Sequence, residues 1–235
     1  MQVQAPPLRP TQNPVGKIWS RDDLARIGEL CRKHGVILIS DEIHCDLTDP
    51  NLKYNPFETS SDYDNVITCL SPSKSFNIAG FQSSIVHAKN SELLDKIKTQ
   101  MHIDSSDSCN VFAVSAVISA YNDSEDWLEE LKEVLYENKQ IVKEYLEKEL
   151  PIIMIVDCDA TYLLWLDCSA LNVHSKVLSG FLRTNQGLFL SAGSDFGHCG
   201  DGFLRMNIAC PQELLMEGLR RFKAGVIALN NVNSF

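Results

Sequence analysis

The 235-residue sequence has no run of about 18 apolar residues, the length a helix needs to cross a bilayer, so no membrane span is expected. Its opening, Met1-Gln-Val-Gln-Ala-Pro-Pro-Leu-Arg-Pro10, lacks the basic-then-apolar order of a secretory leader. Positive charge is scarce: 21 Lys and Arg stand against 31 Asp and Glu, for a formal charge of −10. That balance argues against nucleic acid or an anionic membrane as a partner, because both need a basic footprint. No block of five or six like charges offers an interaction tail.

Eight cysteines are present, but no two are spaced C-x-x-C. In a chain of this length they read as buried thiols of a reducing compartment rather than a disulfide frame, and a cytoplasmic location is expected. His34, His87, His102, His174 and His198 lack i,i+4 pairing or a carboxylate at ligand spacing, so no metal site is expected. Gly193, Gly197, Gly200 and Gly202 do not make G-x-G-x-x-G, and they read as a flexible loop. No G-x-S-x-G elbow supports Ser/His/Asp hydrolysis.

What is there is the composition of an ordinary globular protein, 44% hydrophobic and 22% charged, long enough for one large domain or two modest ones. Ser20 reads as a helix N-cap with Asp22 and Asp23 in the first turn. Leu24, Ile27, Leu30 and Cys31 recur at helical spacing, and Gly35 supplies the stop. Val36-Ile-Leu-Ile-Ser40 is a continuous apolar run, suited to a strand covered on both faces. Val66–Leu70 and Ser84–Ala88 are further strand candidates, and the rhythm is that of an α/β layer.

Helices are expected near 91–101 and 106–121, then a long polar one from about Asp123 to Leu150 with only an approximate apolar stripe. Short strands near 152–156, 161–167, 187–191 and 203–209, with helices near 173–184 and 211–228, suggest a small α+β domain. The expected division is 1–123, with 1–11 an irregular lead-in, and 124–235 including the long helix as a bridge.

Two residues stand out by position. Asp41 follows the first buried run and Lys74 follows the second, and in open α/β sheets ligands sit beyond the carboxyl ends of strands. Taken alone, Asp41 reads as a strand-end cap and Lys74 as an exposed ion-pairing lysine. Together, a carboxylate to hold a cationic ring nitrogen and a lysine able to form an imine make a cofactor site, with Ser71, Ser73 and Ser75 as hydroxyls for a phosphate.

Asn13-Pro-Val-Gly16, Ser40-Asp-Glu-Ile-His44 and Ser71-Pro-Ser-Lys-Ser-Phe-Asn-Ile-Ala-Gly80 resemble the fold type I pyridoxal-phosphate enzymes, the aspartate aminotransferase superfamily. Within it, Tyr162-Leu-Leu-Trp-Leu-Asp167 and Phe203-Leu-Arg-Met-Asn-Ile-Ala-Cys-Pro211 resemble the MalY/PatB-type cystathionine β-lyases, and the likeness runs from about residue 12 to the end. The resemblance implies an α/β fold: part of a large domain with a mainly parallel sheet, plus a small C-terminal α+β domain.

It also implies roles. Lys74 would hold pyridoxal 5′-phosphate covalently and move the substrate's α-proton. Asp41 would pair with the pyridinium nitrogen and Asn13 with the ring oxygen, while Ser71 and Ser73 lie where the family contacts phosphate. Arg205, otherwise a surface ion-pair arginine, would clamp an α-carboxylate. His44, where many aminotransferases have tyrosine, and Gln82, where many have a phosphate-binding arginine, favour the lyase branch.

The expected reaction is β-elimination on cystathionine or a related cysteine S-conjugate, with an amino acid as substrate and a homodimer or a related subunit as partner. Aminotransferase chemistry on the same scaffold, or a non-catalytic remnant, are the alternatives. Family members extend further at the N-terminus, so weak cofactor binding and a tendency to associate are expected of the isolated chain.

Overall fold

The structure, a computed structural model, describes residues 8–9 and 11–233. It divides into two compact units. One comprises the residues up to Gln12 and Lys17–Lys132; the other comprises Asn13–Gly16 and the residues from Glu133 on.

In the first unit a short hairpin pairs β1 (Thr11–Gln12) antiparallel with β2 (Lys17–Ile18). Helix α1 (Arg21–His34) begins as expected: the Ser20 hydroxyl accepts the Asp23 N–H at 3.1 Å, and Gly35 closes the helix in the left-handed conformation. Its buried Leu24 and Cys31 pack with Leu38, Phe57, Tyr63 and Val66 in a compact core. Strand β3 (Leu38–Asp41) lies parallel to β4 (Val66–Leu70), with α2 (Phe57–Ser60) between them in the chain.

β5 (Ile85–His87) completes the sheet in the order β3-β4-β5, but antiparallel and with Ile85 and His87 exposed. The strand expected over Ser84–Ala88 is present as Ile85–His87, on the edge of the sheet and not covered on both faces. Of the lead-in, residues 1–7 and 10 lie outside the described residues. Leu8 is not irregular: its N–H donates to the Ile39 carbonyl at 2.8 Å, and its own carbonyl accepts the Asp41 N–H at 2.7 Å. It lies alongside β3 as a parallel bridge.

Helix α3 (Ser91–Ile103) is capped by Asn90, and α4 (Ala113–Asp123) begins several residues later than its pattern suggested. The delay has a local cause: Asn110 folds its side chain back to accept the Phe112 N–H at 2.9 Å, a turn that competes with helix. Helix α5 (Glu125–Glu149) follows.

The second unit is a four-stranded sheet in the order β6-β7-β9-β8, formed by β6 (Met154–Ile155), β7 (Leu163–Asp167), β8 (Ser191–Ala192) and β9 (Phe203–Asn207). All its pairings are antiparallel. Helices α6 (Ser175–Gln186) and α7 (Gln212–Asn233) join the later part of α5 around one core that includes Val142, Leu164, Leu182, Leu204, Leu219 and Phe222.

The stripe of α5 is only approximate because polar residues occupy two of its buried positions. Asn138 is fully buried and donates to the carbonyls of Ile208 and Cys210, each at 2.9 Å, while Lys139 reaches the Cys158 carbonyl at 3.3 Å. No helix among the described residues is long and apolar enough to cross a membrane.

Candidate active site

Parallel pairing of β3 and β4 sets Asp41 opposite Cys69, so the residues that follow both strands leave the same edge of the sheet. From the first strand come Asp41 and the turn carrying Glu42, His44 and Asp46; from the second comes the turn Ser71–Ser75. The Glu42 N–H donates to the Cys69 carbonyl at 2.9 Å and ties the two exits together.

The lysine turn is held on both sides of Lys74. Ser71 is buried; its hydroxyl donates to the Ser83 carbonyl at 2.7 Å and accepts the Ser73 N–H at 3.1 Å. Ser75 is fully buried and donates to Asp46 at 2.8 Å. Phe76 sits between two aromatic rings, edge-on to Tyr121 at 5.6 Å and stacked with Trp127 at 6.0 Å. Lys74 itself is half-buried and makes no hydrogen bond or ion pair among the described residues. The Ser73 hydroxyl likewise has no partner among them and remains available to an acceptor.

Asp41 is half-buried and already holds a cationic nitrogen: Arg9 Nε lies 3.4 Å from Oδ2. A carboxylate at this strand end that attracts a cation fits a cationic ring nitrogen. His44 is buried in the turn after Asp41, and its carbonyl accepts the Leu47 N–H at 3.1 Å. Glu42, also buried, accepts the Ser40 hydroxyl at 2.8 Å and the Phe57 N–H at 3.2 Å.

This edge is anionic, and its titratable neighbours stay protonated. Burial, then Asp46 and Glu42, push the Cys45 thiol far up; burial, then Asp41 and Glu42, raise Cys69. Burial and Glu42 raise the Tyr54 phenol, and burial pushes Tyr121 up to about 12. A protonated thiol is a poor nucleophile, so Cys45 and Cys69 are not the reactive groups of this edge.

The second unit holds Asn13 and Arg205. Asn13 lies in the hairpin tip, which docks through the Asp159 N–H donating to the Gly16 carbonyl at 3.0 Å. Gly16 has φ +74°, and a Cβ there would sit 2.5 Å from the Ala160 oxygen, so only glycine fits. Arg205 is central in β9, in register with Trp165 on β7 and Ser191 on β8.

The Arg205 guanidinium donates to Asn13 Oδ1 at 3.2 Å and lies 4.4 Å from the centre of the Phe196 ring. Burial lowers its pKa and the nearby Tyr162 opposes that shift; an arginine remains a cation at neutral pH regardless. It has no carboxylate within ion-pair reach among the described residues, unlike the surface arginine its sequence alone suggested.

The Phe196 ring and the buried hydroxyl and carboxylate anchors of the lysine turn were not foreseen. The one signal for Phe196 was an aromatic standing alone in a glycine-rich run. That run is also not a slack loop, because residues Gly193–Phe196 and His198–Gly200 form two short 3₁₀ turns.

Comparison with known proteins gives a consistent relationship. The family described as aminotransferase class I and II matches residues 10–222. Cystathionine beta-lyase PatB of Bacillus subtilis is 38% identical over 216 residues, covering 91% of this chain and 56% of PatB. Cystalysin from Treponema denticola, a structure that contains a pyridoxal 5′-phosphate cofactor, is 31% identical with a TM-score of 0.91 over 94% of this chain and 57% of that one. The pyridoxal-phosphate-bound C-S lyase from Staphylococcus hominis, complexed with L-cycloserine, is 35% identical with a TM-score of 0.86 over 93% and 54%. The chain thus spans little more than half the length of the relatives it matches.

Proposed function

The chain belongs to the class I and II aminotransferase family, and on that footing we propose that it is a pyridoxal-phosphate-dependent carbon–sulfur β-lyase, cleaving cystathionine or a related cysteine S-conjugate to a thiol, pyruvate and ammonia. Pyridoxal phosphate, when bound, supplies an electron sink for charge that develops at the substrate's α-carbon.

The chain's own residues do the rest. Lys74 would hold the cofactor through its amine and, once freed, would take the substrate's α-proton. Asp41 would pair with the ring nitrogen and keep it protonated, Asn13 would donate to the ring oxygen, and His44, in the turn after Asp41, would contact the cofactor. Ser71 and Ser73 would contact the phosphate. Arg205 holds the α-carboxylate with its planar fork. Residues 1–123 form the cofactor-binding portion and 124–235 the small domain. The family likeness of His44 and Gln82 favours elimination over transamination.

The observation that carries this reading is Lys74: a side chain with no ionic partner among the described residues, held by a built turn at the strand edge shared with Asp41. The test is to incubate the chain with pyridoxal phosphate and borohydride and map the label. A label on the peptide around Lys74, with thiol and pyruvate released from cystathionine, is expected. No label there overturns the cofactor assignment, and keto-acid-dependent amino transfer without pyruvate release overturns the lyase assignment.

We further propose that it works paired with another chain, a second copy or a related subunit, in the cytoplasm. Val114, Ile118 and Tyr121, spaced along one face of α4, are exposed beside Val111 and Phe112, which supports a covering partner. All eight cysteines are free thiols, which supports a reducing compartment.

A further inference from the structure

Phe196 is 40% exposed, too open to belong to the core, yet its position is fixed from several directions. Its ring meets Trp165 edge-on at 5.6 Å and 88°, and Trp165 in turn stacks on Phe203 at 5.4 Å and 8°. The loop that carries it is pinned to the start of α6: the Ser194 N–H donates to the Ser175 hydroxyl at 3.1 Å, and that hydroxyl donates to Asp201 at 3.0 Å. Between those points the backbones of Gly193 and Gly200 abut, with a Cβ on Gly193 falling 2.1 Å from the Gly200 oxygen. The face of the ring presented to Arg205 is therefore set by the fold.

We propose that Phe196 is a positioning residue for the carboxylate site: its face fixes the plane of the Arg205 guanidinium. Asn13 holds one terminal nitrogen, the ring covers one face, and the fork is left with a free edge for two parallel N–H bonds to a carboxylate. An arginine otherwise loses rotamer freedom on binding, and holding the fork beforehand removes part of that cost. This inference rests on the reading that Arg205 binds an α-carboxylate.

Two measurements on the full chain test it. In the cofactor-loaded protein, Phe196→Leu is expected to raise KM for a cysteine S-conjugate by about 5-fold, in the range a cation–π contact supports, with kcat within about twofold. Phe196→Tyr, which keeps the π face, is expected to restore KM. In the chain without cofactor, titration with propionate followed through the Arg205 Nε–H resonance is expected to give about 5-fold weaker binding in Phe196→Leu and wild-type binding in Phe196→Tyr.

Unchanged KM and propionate affinity in Phe196→Leu, or failure of the tyrosine to restore them, overturns the inference. Should Phe196→Leu not fold by circular dichroism, Phe196→Met serves in its place under the same criteria. Failure of Lys74 to take the borohydride label would overturn the proposed function but leave the propionate titration as a valid test of Phe196.

Discussion

Both units present a cation that has no carboxylate partner among the described residues, and they hold it by different means. Arg205 stands on an inner strand of a sheet backed by a core cluster of 19 buried residues. Lys74 stands on a turn in a unit whose core cluster has six, and its bearings come from side-chain hydrogen bonds and one aromatic sandwich. The geometry around Arg205 is thus a by-product of burying apolar surface, which is worth about 25 cal/mol per Å². The geometry around Lys74 depends on a few hydrogen bonds, each worth about 1 kcal/mol net. One site should fail with its domain, the other while its domain survives.

The sharpest test of that difference is Lys74→Ala, which should lower thiol release by about 1000-fold or more and abolish borohydride labelling, because both covalent capture and proton transfer go with it. Its melting temperature should stay close to wild type; a large drop would break the contrast. Phe222→Ala should do the reverse. Phe222 is fully buried in the larger core, and truncating it should cost about 3–5 kcal/mol in denaturant unfolding.

Arg205→Lys comes next in size. A lysine keeps the charge but loses the fork, and KM for the amino acid should rise about 10-fold or more with kcat less affected, the equivalent of one charge-assisted hydrogen bond.

The smallest effect concerns Asp201. Its carboxyl is held below the ordinary range by the Ser175 backbone N–H first and by His174 second. A carboxyl depressed in the folded state contributes stability that is complete above its unfolded pKa, about 3.9, and is lost as pH falls toward the folded value. The melting temperature gap between wild type and Asp201→Asn should therefore shrink below about pH 4; a gap constant with pH would show that titration of this carboxyl does not contribute to stability.

Much of this contrast was readable before the structure. Val66–Leu70 was legible as a strand to the residue because a continuous apolar run has no other compact use at that length, and Ser20 and Gly35 bracket α1 because capping chemistry is local. Asp41 stands at the end of its strand and Lys74 in the turn four residues past the other, so both could be placed near the same sheet edge from the strands alone.

The antiparallel direction of β5 was not legible, since the residues of so short a strand say nothing about which way its neighbour runs. The surroundings of Arg205 were hidden too, because Trp165 and Phe196 reach it through cross-strand register and a loop, contacts that periodicity along the chain does not encode. Ser75 could have been suspected as more than a phosphate hydroxyl only by knowing that the turn bearing Asp46 lies beside it.

The abutting backbones of Gly193 and Gly200 make residues 194–199 a cassette with fixed ends. Apart from Ser194 and Phe196, its exposed side chains can be exchanged, whereas a single methyl at either end would push the ends apart. Redesign aimed at acids of different shape should vary the exposed Asp195, His198 and Cys199 and leave the two glycines untouched.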